Sequence, residues 1–119
     1  MKIETRERGE ITVVKIAGRF TYGQGDVLVR TTFRDLLAAG HRRFVLEMRD
    51  VAYLDSSAVG ELVACQDRAI ENGGSIRLVP NARIRRLLDL YQLERIFPIF
   101  PDVEDALASF AVPILEPVH

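Results

Sequence analysis

An α/β fold in a single domain is what this sequence predicts, and three observations carry the prediction. Two short β-favouring runs near the N-terminus flank a glycine-bearing turn. Beyond them, segments whose apolar residues recur at helical spacing alternate with short runs of strand character. Glycine, proline or a capping residue stands at the junctions. With 119 residues, 48% of them hydrophobic, the chain is near the commonest domain size, and burying about two thirds of its unfolded surface suffices for one core without staples.

The elements follow in order. Ile3 to Glu7 and Ile11 to Ala17 are separated by Arg8-Gly9-Glu10, which suits a tight antiparallel hairpin, and Gly18 is expected to end the second run. The glycine-bearing segment Arg19 to Gly25 breaks the pattern, after which Val29, Phe33, Leu36 and Leu37 predict a helix from Asp26 to Ala39 with Gly40 as its stop. Arg43 to Met48 alternates like a strand, and Val51 to Leu54 continues toward a turn. Val59, Leu62, Val63, Ala69 and Ile70 share one face of a second helix, Ser57 to Glu71, with Asp55 and Ser56 as capping residues and Asn72-Gly73-Gly74 as the stop.

Ser75 to Val79 reads as a strand, and Pro80-Asn81 leads into a helix carrying Ile84, Leu87, Leu88 and Tyr91. Ile96 to Phe100 is expected to be a fifth strand, at an edge because Pro98 interrupts it. Asp102 caps a last helix through Val103, Leu107 and Phe110, while Pro113 and Pro117 mark 112–119 as a tail beyond a domain of residues 1–111. Lys15, Glu47 and Arg77 each put a charge on the non-core side of a strand. A sheet covered on both faces would read as continuous apolar runs, so helices are expected mainly on one face of a sheet of about five strands and four helices.

Composition narrows the function. Lys+Arg 16 against Asp+Glu 17 gives a net charge of −1, which offers no field for nucleic acid. The mixed-sign start does not read as a secretory signal, and no run approaches the ~18 apolar residues of a membrane span, so direct membrane insertion is not expected. The single Cys65 in a helix-patterned stretch fits a reducing compartment, hence the cytoplasm. Metal-ligand spacing is absent, and Gly23-Gln24-Gly25 and Gly73-Gly74-Ser75 read as turns rather than phosphate cradles, so no cofactor is expected. Arg83, Arg85 and Arg86 form a basic cluster that reads as a solvated helix face or a docking site.

The stretch Asp55-Ser56-Ser57-Ala58-Val59-Gly60 is the most informative, because it joins a strand end to a helix start and exposes two hydroxyls beside free backbone N–H groups. It reads either as a plain cap or as a phosphoacceptor, where a phosphate adds about −1.5 to −2 charges that the helix dipole tolerates and that Asp55 and Glu61 oppose. Gly60 costs the helix about 1 kcal/mol relative to alanine, which points to close packing on the sheet or close approach by a partner. A serine nucleophile would need a base, and His41 lies five to six strand residues away at about 3.3 Å each, near the opposite sheet edge. An enzyme is not expected.

Gly18, the Val51 to Gly60 stretch, Gly73-Gly74 and the run Ala82 to Phe97 together resemble the STAS domain of bacterial anti-sigma factor antagonists, over nearly the whole chain. In that family Asp-Ser-Ser or Asp-Ser-Thr precedes Gly-Leu-Gly, and the first serine after the aspartate is phosphorylated; that position is Ser56 here. The resemblance implies a STAS-like fold and a partner surface comprising Thr21, Asp55, Ser56, Ser57, Ala58, Gly60 and Glu61. It implies as partners an anti-sigma factor serine kinase, whose capture releases a sigma factor, and a serine phosphatase. Two positions depart from the pattern: Ala58 stands where the family usually has glycine, and Thr21 where many members carry an aspartate near the acceptor. The alternative within the same family is a structural STAS subunit of a transport or signalling assembly, in which Ser56 only caps a helix.

Overall fold

The computed structural model describes residues 1–111; the tail expected at 112–119 lies outside the described residues. Strands β1 (Lys2–Arg8) and β2 (Ile11–Phe20) form the hairpin. There follow α1 (Gly25–Ala38), β3 (Arg43–Leu54), α2 (Ser56–Glu71), β4 (Ser75–Pro80) and α3 (Ala82–Leu90), then a 3₁₀ turn (Leu93–Arg95) and α4 (Val103–Ala111). The sheet runs β1-β2-β3-β4, with β1 antiparallel to β2 and the other neighbours parallel. Each parallel neighbour is reached through a helix, so the chain turns at the C-terminal ends of β2 and β3 gather at one sheet edge.

Gly18 does not end β2. It sits at φ 96° where the pairing with β3 shifts register, and the strand continues to Phe20, which is fully buried. Nor does β3 break after Met48. Ala17 pairs with Asp50 after Lys15 with Glu47, and Arg19 with Tyr53 after Gly18 with Val51, so β3 carries one extra residue at each of the two shifts. Each bulge reverses the alternation, which is why Met48, Val51 and Leu54, spaced by three, all enter the same core.

The fifth strand is replaced by a single bridge. Ile99 pairs in parallel with Leu78, through Leu78 N–H to the Pro98 carbonyl at 3.0 Å and Phe100 N–H to the Leu78 carbonyl at 2.9 Å. Pro98 has no N–H to extend a ladder, and the Gln66 side chain takes the Ile96 carbonyl at 3.1 Å.

Helices α1, α2 and α3 pack on one sheet face over a core that includes Val14, Ile16, Leu46 and Leu78. Phe33 of α1 meets Phe44 of β3 edge to face at 5.1 Å. Helix α4 packs on the other face, where Val103 and Ala106 cover Val13, Val45 and Val79. Helices therefore lie mainly on one face, as the charges at strand positions imply, and Arg77 shows the local exception. Its guanidinium lies 3.8 Å from the Phe110 ring and donates to Ser109 Oγ at 2.9 Å and to Ser75 Oγ, and desolvation lowers its pKa. Lys15 stays at the surface and pairs with Asp50 at 3.4 Å.

Candidate functional site

Phe20 and Leu54 are paired at the ends of β2 and β3, so the loop after one and the helix start after the other emerge side by side. Asp55 ties them together. Its N–H donates to the Phe20 carbonyl at 3.3 Å, one carboxylate oxygen accepts from Tyr22 N–H at 2.9 Å, and the other caps α2 by accepting from Ala58 N–H at 2.9 Å. These backbone donors, Tyr22 first, hold the carboxyl below its ordinary pKa of 3.8. The cap was legible in the sequence; the tie to Tyr22 spans 33 residues and was not.

The loop itself is closed by Asp26, whose carboxylate turns inward to accept from Gly23 N–H at 2.9 Å and Val27 N–H at 2.8 Å, while its own N–H donates to the Thr21 carbonyl at 3.2 Å. Asp26 is only 6% exposed. The carboxylate nearest Thr21 in sequence is thus committed to the loop's own backbone.

Around this scaffold the seven site residues read from sequence separate. Ser56 and Gly60 are exposed, Thr21, Asp55 and Ser57 are half-buried, and Ala58 and Glu61 are buried. Ser56 and Gly60 are four apart on α2, hence on one face. Nothing lies within 4 Å of the position a Cβ on Gly60 would take, so packing against the sheet is not what excludes a side chain there.

Glu61 is not the bare acid the sequence reading set against a phosphate. Arg30 Nε of α1 reaches its carboxylate at 2.9 Å, Arg68 at 3.6 Å, and the Cys65 thiol donates to it at 3.4 Å. The carboxylate is neutralised by two cations and serves to join α1 to α2. Cys65 is fully buried and its pKa is pushed up to about 12 by desolvation and then by Glu61, so it packs rather than reacts.

Two features of this edge escaped the sequence reading. Tyr22 projects from the loop at 77% exposure, and Arg19 lies 5.0 Å over the exposed Tyr53 ring. Tyr22 was detectable as an aromatic in an otherwise glycine-bearing loop. His41 lies at the other end of the sheet, its Nδ1 2.7 Å from Thr12 Oγ1 near the start of β2, far from Ser56. A cavity of about 550 Å³ at that end is lined by Glu7, Glu10, His41 and Arg43 among others, and by none of the Ser56 turn.

Fold and site together define a small α/β domain whose exposed feature is a serine at a capped helix start. The STAS domain family model matches residues 2–106, and the chain belongs to that family. A STAS-domain containing protein of Pseudomonas aeruginosa is 33% identical over 95 residues, covering 76% of this chain and 89% of that one. The anti-sigma F factor antagonist of Paenibacillus polymyxa is 22% identical over 113 residues, 94% of this chain and 97% of that one. The crystal structure of an anti-sigma factor antagonist from Mycobacterium paratuberculosis superposes with a TM-score of 0.81 at 21% identity, covering 91% of this chain and 92% of that one, which is a likeness of fold. No described helix is long and apolar enough to cross a membrane.

Proposed function

We propose that this protein is an anti-sigma factor antagonist, a non-enzymatic cytoplasmic switch that binds an anti-sigma factor serine kinase and so releases a sigma factor. Phosphorylation of Ser56 switches it off and a serine phosphatase restores it. The contact surface comprises Thr21, Tyr22, Asp55, Ser56 and Gly60, within a domain of residues 1–111 followed by a tail. The observation that carries this reading is the exposed Ser56 hydroxyl on the same face as an open Gly60, beside a loop that Asp55 holds in place. A missing side chain with free space above it accommodates the backbone of another protein.

The switch works by charge. A phosphate on the first residue of α2 meets the positive end of the helix, so the free domain tolerates it. Inside a contact from which water is excluded, the same charge must find a partner or cost several kcal/mol. The test is calorimetric affinity for the kinase-like protein captured from native lysate with and without ATP. Ser56→Ala should bind as the unmodified protein does, while Ser56→Asp should bind more than about a hundredfold more weakly, corresponding to about 3 kcal/mol. Equal affinities for the two variants, or no phosphate on Ser56 in peptide maps, would favour a structural STAS subunit instead.

A further inference from the structure

Helix α1 carries Val27, Leu28 and Val29 in a row, and only the last of them serves the core. Val29 is fully buried, whereas Val27 is 45% exposed and Leu28 39%. The two exposed side chains line one hollow of about 400 Å³, together with Met1, Gly23, Gln24 and Thr31. No charged side chain is among that lining. Gln24, the residue before α1, and Val27, Leu28 and Thr31 are spaced by three and four, so they share one face of the helix. Apolar residues exposed singly are ordinary, whereas two that line one uncharged hollow beside a methionine mark a contact surface.

Backbone ties hold the hollow in shape and join it to the Ser56 turn. Asp26 Oδ1 accepts from Gly23 N–H at 2.9 Å and from Val27 N–H at 2.8 Å, which fixes the loop wall to the helix wall. A Cβ on Gly25 would stand 3.0 Å from Phe20 Cα, so the glycine lets the loop fold tightly onto the end of β2. Met1 lies against the same strand, its Cα 3.5 Å from where a Cβ on Gly18 would stand. Tyr22, next to Gly23, is the residue whose N–H the Asp55 carboxylate accepts, and Ser56 follows Asp55. The path from the hollow to the acceptor hydroxyl therefore runs Gly23, Tyr22, Asp55, Ser56 with one hydrogen bond in it. A protein that covers Tyr22 and Ser56 borders the hollow.

We propose that this hollow takes large apolar side chains of the same protein that binds the Ser56 turn, so that the contact continues along α1 through Val27 and Leu28. That protein is the kinase of the Ser56 switch, on which this assignment rests. An apolar contact away from the reacting hydroxyl acts equally before and during phosphoryl transfer, so it governs affinity and KM rather than kcat. Calorimetry against the kinase-like protein captured from native lysate, with ATP-dependent phosphorylation kinetics, tests it. Val27→Asp/Leu28→Asp should bind about a hundredfold more weakly, because two carboxylates are forced against apolar groups, and should raise KM with kcat unchanged. Both positions are exposed, and circular dichroism checks that the variant is folded. A benzophenone side chain at Val27 should cross-link to an apolar stretch of the kinase. Cross-linking instead to a second copy or to residues 112–119 would overturn the proposal, as would wild-type affinity of the double variant. Ser56→Asp keeps the two ideas apart. If it binds as Ser56→Ala does while the double variant binds weakly, the switch fails and the hollow stands; if only Ser56→Asp weakens binding, the switch stands and the hollow fails. Capture of no kinase-like protein would remove both.

Discussion

At the scale of single residues, Asp55 does two jobs with one carboxylate, capping α2 and holding Tyr22. Each is a charge-assisted hydrogen bond, so Asp55→Ala should cost about 2 kcal/mol, more than a cap alone, by urea unfolding. The sign of the pH dependence follows from the depressed pKa of the folded state. Stability from Asp55 is fully present above the unfolded value near 3.8 and is lost as pH falls through the lower folded value. The difference between wild type and Asp55→Asn should therefore be constant from neutral pH to about 5 and shrink below about 4. A difference that grows on acidification would contradict this assignment. Asp55 was legible as a cap because capping is local; its second partner lies across the sheet edge.

At the scale of elements, α2 carries a glycine one turn into the helix that its own fold does not require, since the space above it is empty. Gly60→Ala should raise stability by about 1 kcal/mol from helix propensity alone. If a partner's backbone approaches there, as proposed, the same variant should bind the captured partner more weakly. Thermal unfolding and calorimetry on one preparation separate the two effects, and unchanged affinity would remove Gly60 from the contact surface. Gly74 is the opposite case: a Cβ there would stand 2.0 Å from the Arg42 carbonyl oxygen, so the turn into β4 excludes any side chain. In sequence Gly60 read as a cost inside a helix and Gly74 as part of a helix stop, and only their surroundings show which of the two has room for a side chain.

At the scale of the whole molecule, β2 and β3 are central, paired on both sides and covered by helices, while β1 is an exposed edge and the Ile96–Phe100 segment holds on by one bridge. Amide hydrogen exchange should reflect that order. The backbone N–H groups of Val13 to Ile16 and Phe44 to Met48 should exchange only through global unfolding, with Phe100 exchanging through a smaller local opening. Equal protection of Phe100 and Val45 would mean that the bridge belongs to the cooperative core.

The sequence by itself determined the hairpin, the four helices in their order and the place of the Ser56 turn, because capping, periodicity and turn chemistry act over a few residues. Helix–strand alternation pointed to the α/β class, while the parallel pairing of β2, β3 and β4 is seen only in the assembled sheet. Tertiary structure decided what depended on partners distant in the chain. It carried β2 through Gly18 and β3 past Met48, where two bulges hide a strand from any period-2 count. It reduced the fifth strand to Ile99 and set α4 over Arg77. It also turned Glu61 from a surface acid into the anchor of Arg30 and Arg68. An acid at an amphipathic boundary reads as exposed until the neighbouring helix brings the cations that permit its burial.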